Sequence, residues 1–404
     1  MPRQLALHVV GDHALSSLLV ILAIAAATPI IADLPRRIRV PAVVVEIVAG
    51  IAVGPHALGL VHLGPLLDVL AEFGLATLIF LAGFEIDIAA IKGKPLRLAS
   101  LSWLGSLGIA LAIGAVLAIH GVVISGLVVG LALTSTALGT LLPILRDRGE
   151  LGTPFGVDVL ASGAVGEFGP IVAVALVLTA SSPARTTAVL VAFAAVTAAA
   201  VWIALRPRSP RVGRLVRTSF HTSGQLAVRF CVLMLAGLVW VAEELGLDIL
   251  LGAFAAGLVM RLFLTGHGSH PEDAHDVGIR LEAIGFGFLI PLFFVVSGVR
   301  FDLPALSDAA TLAKVPLYLA LMLVARGLPT IIVYRRHTRG QRELWALGLL
   351  TSTALPLIVA ITTIGLSTGE LRPGNAAALV GAGLVSVLAF PLIAFAVKGP
   401  AKPD

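Results

Sequence analysis

The stretch "SGAVGEFGPI" sets a carboxylate, Glu167, twelve residues from either end of an apolar run at about residues 155–179. A charge at such depth in a bilayer costs on the order of 3 kcal/mol on insertion scales, and intramembrane acids mark ion or proton sites. Gly163, Gly166 and Gly169 leave open space around it. Burial disfavours the charged form, which suits a group that takes up and releases a proton within a cycle. A second charge, Arg326 in "LVARGLPTII", lies eight residues inside an apolar run at 311–334, about 12 Å deep by helical rise. Its side chain can snorkel toward the interface. The reading with more chemistry is a fixed positive charge that compensates a carboxylate inside the core. The third feature is a polar cluster that occurs twice: "LTSTAL" runs from Leu133 to Leu138 and again from Leu350 to Leu355. It brings Thr134, Ser135 and Thr136, then Thr351, Ser352 and Thr353, to the middle of apolar runs.

The chain that must position these groups has 404 residues, 58% hydrophobic and 13% charged, with a mean hydropathy of +1.03. Soluble domains carry about a quarter of their residues as charges, so this composition describes an all-α polytopic membrane protein. Cys231 is the one cysteine, which leaves no disulfide framework and no CxxC metal site. The net charge of +5 points to cytoplasmic loops rather than to nucleic acid. Thirteen apolar segments appear, at about residues 14–34, 40–60, 67–91, 98–120, 122–145, 155–179, 185–205, 222–242, 247–264, 281–299, 311–334, 343–367 and 375–397. The first is read as a retained span rather than a signal peptide, because Arg36, Arg37 and Arg39 follow it. Alternate loops hold 21 basic residues on one side and four on the other. The positive-inside rule then sets the N-terminus outside and the C-terminus in the cytoplasm, which requires an odd number of spans. Neither end is long enough for a soluble domain, so a large regulatory domain is expected only as a separate subunit.

With that topology the two hexapeptides lie on the fifth and twelfth spans and run antiparallel, as corresponding helices of an inverted repeat do. Spans four to six pair with spans eleven to thirteen. Three consecutive hydroxyl residues on a continuous helix would point partly at lipid. A local unwinding removes that difficulty and turns carbonyls and hydroxyls toward a cavity, where they can hold an ion. Gly139 and Pro356, directly after the copies, weaken helix continuation. The plainer reading has each hydroxyl bonding back to a carbonyl in the preceding turn.

Other charges rank lower. Glu46, in "VVEIVAGIAVGP", is expected at a glycine-lined helix interface. Glu85, in "FLAGFEID", falls near a cytoplasmic span end, and Asp158 falls where water reaches the inner end of span six. Arg229 and Lys314 lie close enough to span ends to snorkel. The loop "GHGSHPEDAHD" carries His267, His270 and His275 beside acids, a pattern that suits a solvated loop better than a pH sensor or a metal site.

These residues together resemble the monovalent cation:proton antiporter family, in the branch of bacterial Na+/H+ and K+/H+ exchangers. The resemblance rests on "VPAVVVEIVAGIAVGP", "GLATLIFLAGFEID", "ALTSTALGTLLPILRDRGELGTPFG", "LLGAFAAGLVM" and "PLFFVVSGVRFDL", in that order along the chain. It implies a core domain with two crossed, discontinuous helices beside a scaffold domain that forms a homodimer. Residues 1–97 and 220–305 would be scaffold, 98–180 and 306–404 the two core repeats, and 181–219 a linker helix with a basic cytoplasmic loop. The family has an aspartate in span six, often preceded by Asp, Asn or Gln; here the matching pair is Gly166–Glu167. A basic residue in span eleven is expected, and Arg326 fits. One core carboxylate implies one proton per cation, hence electroneutral exchange of Na+ or K+ by alternating access. Glu167 would bind either ion, with Thr134, Ser135 and Thr136 completing the shell and no cofactor or resident metal involved. A proton-coupled carrier of an organic ion on the same fold is the alternative. A channel fits less well, since channels build pores from rings of subunits or carbonyl filters. No paired nucleophile and base lies at membrane depth, so an intramembrane enzyme is not expected.

Overall fold

The computed structural model describes residues 2–33, 41–85, 92–177, 183–205, 225–247, 249–265, 271–337 and 340–399. Secondary structure among them is helical throughout. Helices follow from the apolar runs, because a segment crossing hydrocarbon must satisfy its own backbone polar groups. Nine helices are long and apolar enough to cross a membrane, and four shorter apolar helices accompany them, among the described residues. The protein is an integral membrane protein.

In chain order the first helices are α1 (Pro2–Asp33), α2 (Ala42–Val53), α3 (Pro65–Glu85) and α4 (Lys94–Ile119). The first broken helix follows as α5 (Gly126–Leu133) and α6 (Leu138–Asp147), then α7 (Pro154–Val177) and α8 (Pro183–Leu205). Next come α9 (Leu226–Glu244), α10 (Ile249–Thr265), α11 (Pro271–Ile284) and α12 (Ile290–Val299). The last set is α13 (Ala309–Met322), α14 (Leu328–Tyr334), the second broken helix α15 (Gln341–Thr351) and α16 (Pro356–Ser367), and α17 (Pro373–Lys398).

The chain divides into two compact units. The first comprises residues 1–26, 60–86 and 174–296. There α10 is buried on nearly every side, with α3 and α9 packed along it. A helix apolar all round belongs at the centre of a packed unit. The second unit comprises residues 27–59, 87–173 and 297–404 and holds both broken helices. In it α5 packs against α4 so closely that a Cβ on Gly114 would lie 1.9 Å from the Gly126 carbonyl oxygen. Only glycine permits that approach.

Two segments widen into a single π turn, Gly285–Leu289 and Leu323–Gly327. Each is followed two residues later by a proline, Pro291 and Pro329. A proline offers no N–H to the carbonyl four residues earlier and crowds it, and a widened turn relieves both. At the start of α13 the Asp308 carboxylate accepts hydrogen bonds from the Thr311 backbone N–H and hydroxyl, both at 3.1 Å. Those bonds hold its carboxyl below the usual carboxylate range.

The second unit is tied at one end by a buried ion pair between Lys398 and Glu150. Glu150 also accepts from the Thr153 hydroxyl at 2.9 Å, and the Lys398 ammonium lies 4.8 Å from the Phe155 ring centre. The two side chains are 7% and 5% exposed, so removing one partner strands a buried charge. Lys398→Ala is expected to lower stability by about 3 kcal/mol, read as earlier thermal unfolding in detergent. An unchanged transition would show that the pair contributes nothing.

Candidate functional site

The repeated hexapeptide is where both broken helices break. The first loses helical geometry at Thr134–Ala137 and the second at Ser352–Leu355. Pro356 opens α16 at its first position, where its missing N–H costs nothing. Gly139, by contrast, lies inside α6 and interrupts nothing; the polar run itself makes the first break. The halves cross: α5 packs on α16, while Leu141 and Leu145 of α6 share a buried cluster with Leu344, Leu347 and Leu350 of α15.

The two breaks bond to each other. The Ala137 N–H donates to the Thr353 carbonyl at 2.7 Å, and the Thr136 hydroxyl donates to the Thr351 carbonyl at 2.6 Å. The Thr136 N–H donates to the Gly166 carbonyl at 3.0 Å, which ties α7 to the first break one residue before Glu167. Ser386 of α17 bridges the second break, taking the Ala354 N–H at 3.1 Å and donating to its carbonyl at 3.0 Å.

The copies differ in what they leave open. In the first, the carbonyls of Thr134, Ser135 and Thr136 accept no hydrogen bond among the described residues. In the second, the carbonyls of Thr351 and Thr353 have partners, and of the three matching carbonyls that of Ser352 alone accepts none among the described residues. The hydroxyls do bond back: Thr134 to the Leu131 carbonyl at 2.8 Å and Ser135 to the Ala132 carbonyl at 2.7 Å. A hydroxyl that donates in this way keeps its lone pairs for a cation. All six hexapeptide hydroxyl residues are at most 1% exposed.

Arg326 sits in the π turn and is wholly buried. Its Nε donates to the Thr136 hydroxyl at 2.9 Å and its Nη2 to the Ser162 carbonyl at 2.7 Å. Its Nη1 reaches the Ser106 and Ser102 hydroxyls at 3.4 and 3.5 Å. Further hydroxyls back this shell: Thr330 lies 2.9 Å from Ser102 and accepts from Thr351 at 3.2 Å, and Ser162 lies 3.0 Å from the Tyr334 hydroxyl. A guanidinium demands this many acceptors at such burial.

Gly166 takes its meaning from the same cluster. A Cβ there would lie 2.4 Å from Thr136 Oγ1 and 2.6 Å from Arg326 Nη2. The space that a side chain at 166 would fill is occupied by the guanidinium. Glu167, the next residue, is 3% exposed.

The second unit thus brings together Thr136, Thr351, Arg326 and the Gly166–Glu167 segment. Asp158 lies two turns away on α7, half-buried and within electrostatic reach of Lys94, Glu343 and Tyr334. Glu85 ends α3 in the first unit. His275 is exposed on α11, and His267 and His270 fall outside the described residues. Lys314 donates to the buried Asn375 at 2.9 Å, whose amide holds the Val122 carbonyl at 2.9 Å. Ser102, Ser106, Ser162, Thr330 and Tyr334 did not stand out in the sequence. Their signal was spacing, since Ser102 and Ser106, Ser162 and Gly166, and Arg326, Thr330 and Tyr334 each recur every fourth residue.

Comparison with known proteins gives a consistent picture. The family model described as "Sodium/hydrogen exchanger, transmembrane" matches residues 20–397. YjbQ of Bacillus subtilis (strain 168) is 28% identical over 395 residues, 93% of this chain and 61% of that protein. Cation/H(+) antiporter 18 of Arabidopsis thaliana is 25% identical over 410 residues, 96% of this chain and 49% of its own length. This chain therefore spans about half to three-fifths of those two relatives. The Na(+)/H(+) antiporter of Enterococcus hirae is 23% identical over 387 residues, 91% of this chain and 94% of that one. Among solved structures, the sodium proton antiporter MjNhaP1 from Methanocaldococcus jannaschii at pH 8 superposes with a TM-score of 0.63. It does so at 16% identity, over 97% of this chain and 96% of that one, which establishes the shared fold.

Proposed function

The chain belongs to the sodium/hydrogen exchanger family, and on that premise we propose that it exchanges a monovalent cation, Na+ or K+, for protons by alternating access. The observation that carries the reading is the juxtaposition on α7 and the first broken helix. Buried Glu167 follows directly on Gly166, whose carbonyl holds the Thr136 N–H, and the Thr134–Thr136 carbonyls beside that bond accept no hydrogen bond among the described residues. One carboxylate and several neutral oxygens make a site for a dehydrated monovalent cation or for a proton, not for both. Competition for Glu167 couples the two fluxes.

Arg326 contributes a constant charge. Its donors are taken by hydroxyls and a carbonyl, so it stays in place whichever ion Glu167 holds. Proton-bound and cation-bound states then carry the same net charge, which supports one-for-one, electroneutral exchange. An empty Glu167 carboxylate would be costly to move through hydrocarbon, so only occupied states cycle. We extend the reading to a homodimer in the plasma membrane with the N-terminus outside, and to a transporter without enzymatic activity.

The organic-ion reading keeps one supporting observation. A cavity of about 310 Å³ in the second unit is lined by Ser297, Arg300, Asp302 and Thr362 among others, which is large enough for a small organic molecule. One experiment separates the readings. Purified protein goes into liposomes with a pH-sensitive dye inside, and Na+, K+ or Li+ is added outside. Alkalinisation of the lumen driven by one of these cations is expected. No response to any, with folded protein, would end the cation reading and turn the search to organic substrates.

A further inference from the structure

Glu46 takes no part in the site described above, yet it is as deeply buried as Glu167. It lies on α2 with 5% of its surface exposed and makes no hydrogen bond or ion pair among the described residues. The backbone that carries it is tightly held. A Cβ on Gly298 would lie 2.2 Å from the Ile47 carbonyl oxygen and 2.9 Å from Gly50 Cα, so α2 and the end of α12 meet backbone to backbone. Ile47 forms part of the wall of the 310 Å³ cavity, whose charged and titratable lining is His56, Arg300 and Asp302. On α2 itself Glu46 is the one charged residue, and α16 and α17 give that cavity only uncharged side chains.

An ionised carboxylate is costly in such surroundings, whereas the neutral acid is tolerated. The adjoining cavity is walled by Ile47, the next residue along the helix, and any widening of that wall opens it to the carboxyl. We propose that Glu46 is a second proton-exchanging carboxyl, separate from the ion site, whose protonation gives transport a pH dependence for which the cation does not compete. A passive role predicts something different: a permanently neutral acid is equivalent to glutamine, its isostere.

The proposal rests on the exchange reading, and the test keeps the two apart. Exchange rates are recorded in proteoliposomes against pH at several cation concentrations, for wild type and Glu46→Gln. Protons at Glu167 compete with the cation, so the limb of the profile due to Glu167 moves as cation is added. A limb governed by Glu46 stays where it is. The expected result is a stationary limb in wild type that is lost, or displaced by about one pH unit or more, in Glu46→Gln. Profiles that superimpose at every cation concentration overturn the proposal. Absence of flux in wild type for every cation would remove the exchange reading instead. The pH dependence of thermal unfolding, which needs no transport, then decides for Glu46. A curve displaced in Glu46→Gln supports the proposal, and an identical one overturns it. Should Glu46→Gln fail to fold, Glu46→Asp keeps the acid but moves it by a methylene, and an unmoved stationary limb overturns the proposal.

Discussion

Glu167→Gln is expected to abolish cation-driven proton movement in proteoliposomes, a loss of at least about 100-fold, while the protein still folds. Glutamine keeps the shape of the neutral acid, so packing around residue 167 is preserved. What it loses is the only property competition needs, a group that is negative when empty and neutral when occupied. A second readout does not depend on transport. A cation that binds the folded protein raises its stability by about 1.4 kcal/mol at ten times its dissociation constant, and Glu167→Gln should erase that rise. The unliganded mutant should be as stable as wild type or more so, since a costly buried carboxylate is gone. Retained exchange in Glu167→Gln would move the coupling elsewhere, with Asp158 the next acid along α7.

A single methyl group at residue 166 is expected to destabilise the protein by about 3 kcal/mol or more. In Gly166→Ala the new Cβ falls 2.6 Å from Arg326 Nη2 and 2.4 Å from Thr136 Oγ1, well inside contact distance. Either the guanidinium moves and gives up the Ser162 carbonyl and the hydroxyls of Thr136, Ser102 and Ser106, or α7 is pushed away from the first break. Stripping acceptors from a buried charge costs about 3 kcal/mol or more, against roughly 1–3 kcal/mol for overpacking alone. The double mutant Gly166→Ala/Arg326→Ser decides between these causes. If the clash with the guanidinium dominates, the two substitutions are strongly non-additive and the double mutant is no less stable than Arg326→Ser alone, measured by thermal unfolding in detergent. Simple additivity would show that residue 166 and Arg326 do not compete for space. Transport stays lost in the double mutant, because the fixed charge goes with the arginine.

The guanidinium of a residue 160 positions later along the chain fills the room that a side chain at 166 would take. Glycine at 166 is therefore what the placement of Arg326 and Thr136 requires.

By itself the sequence determined the membrane class, the all-helical fold, the family, and four places where polar groups enter apolar runs. Those follow from quantities that are local along the chain: hydropathy over about twenty residues, a charge inside such a window, and a polar run that a helix cannot bury on one face. The second break even had its restart marked, because a proline at the first helical position is a local preference. Tertiary structure alone decided which groups meet. Arg326 finds its acceptors on α4, in the first break and on α7, up to 224 residues away. The two hexapeptides, identical in sequence, differ in geometry because the first copy bonds to the Thr351 and Thr353 carbonyls and Ser386 to the Ala354 carbonyl, while among the described residues no donor meets the carbonyls of Thr134 to Thr136. The physical reason is the solvent. In water a helix announces its buried face by the side on which its apolar residues lie, but a helix in lipid is apolar all round and gives no such sign. Partner choice is then set by close packing, by glycines such as Gly126 and Gly166, and by the need of each buried donor to find an acceptor. Those conditions exist only once the helices are assembled.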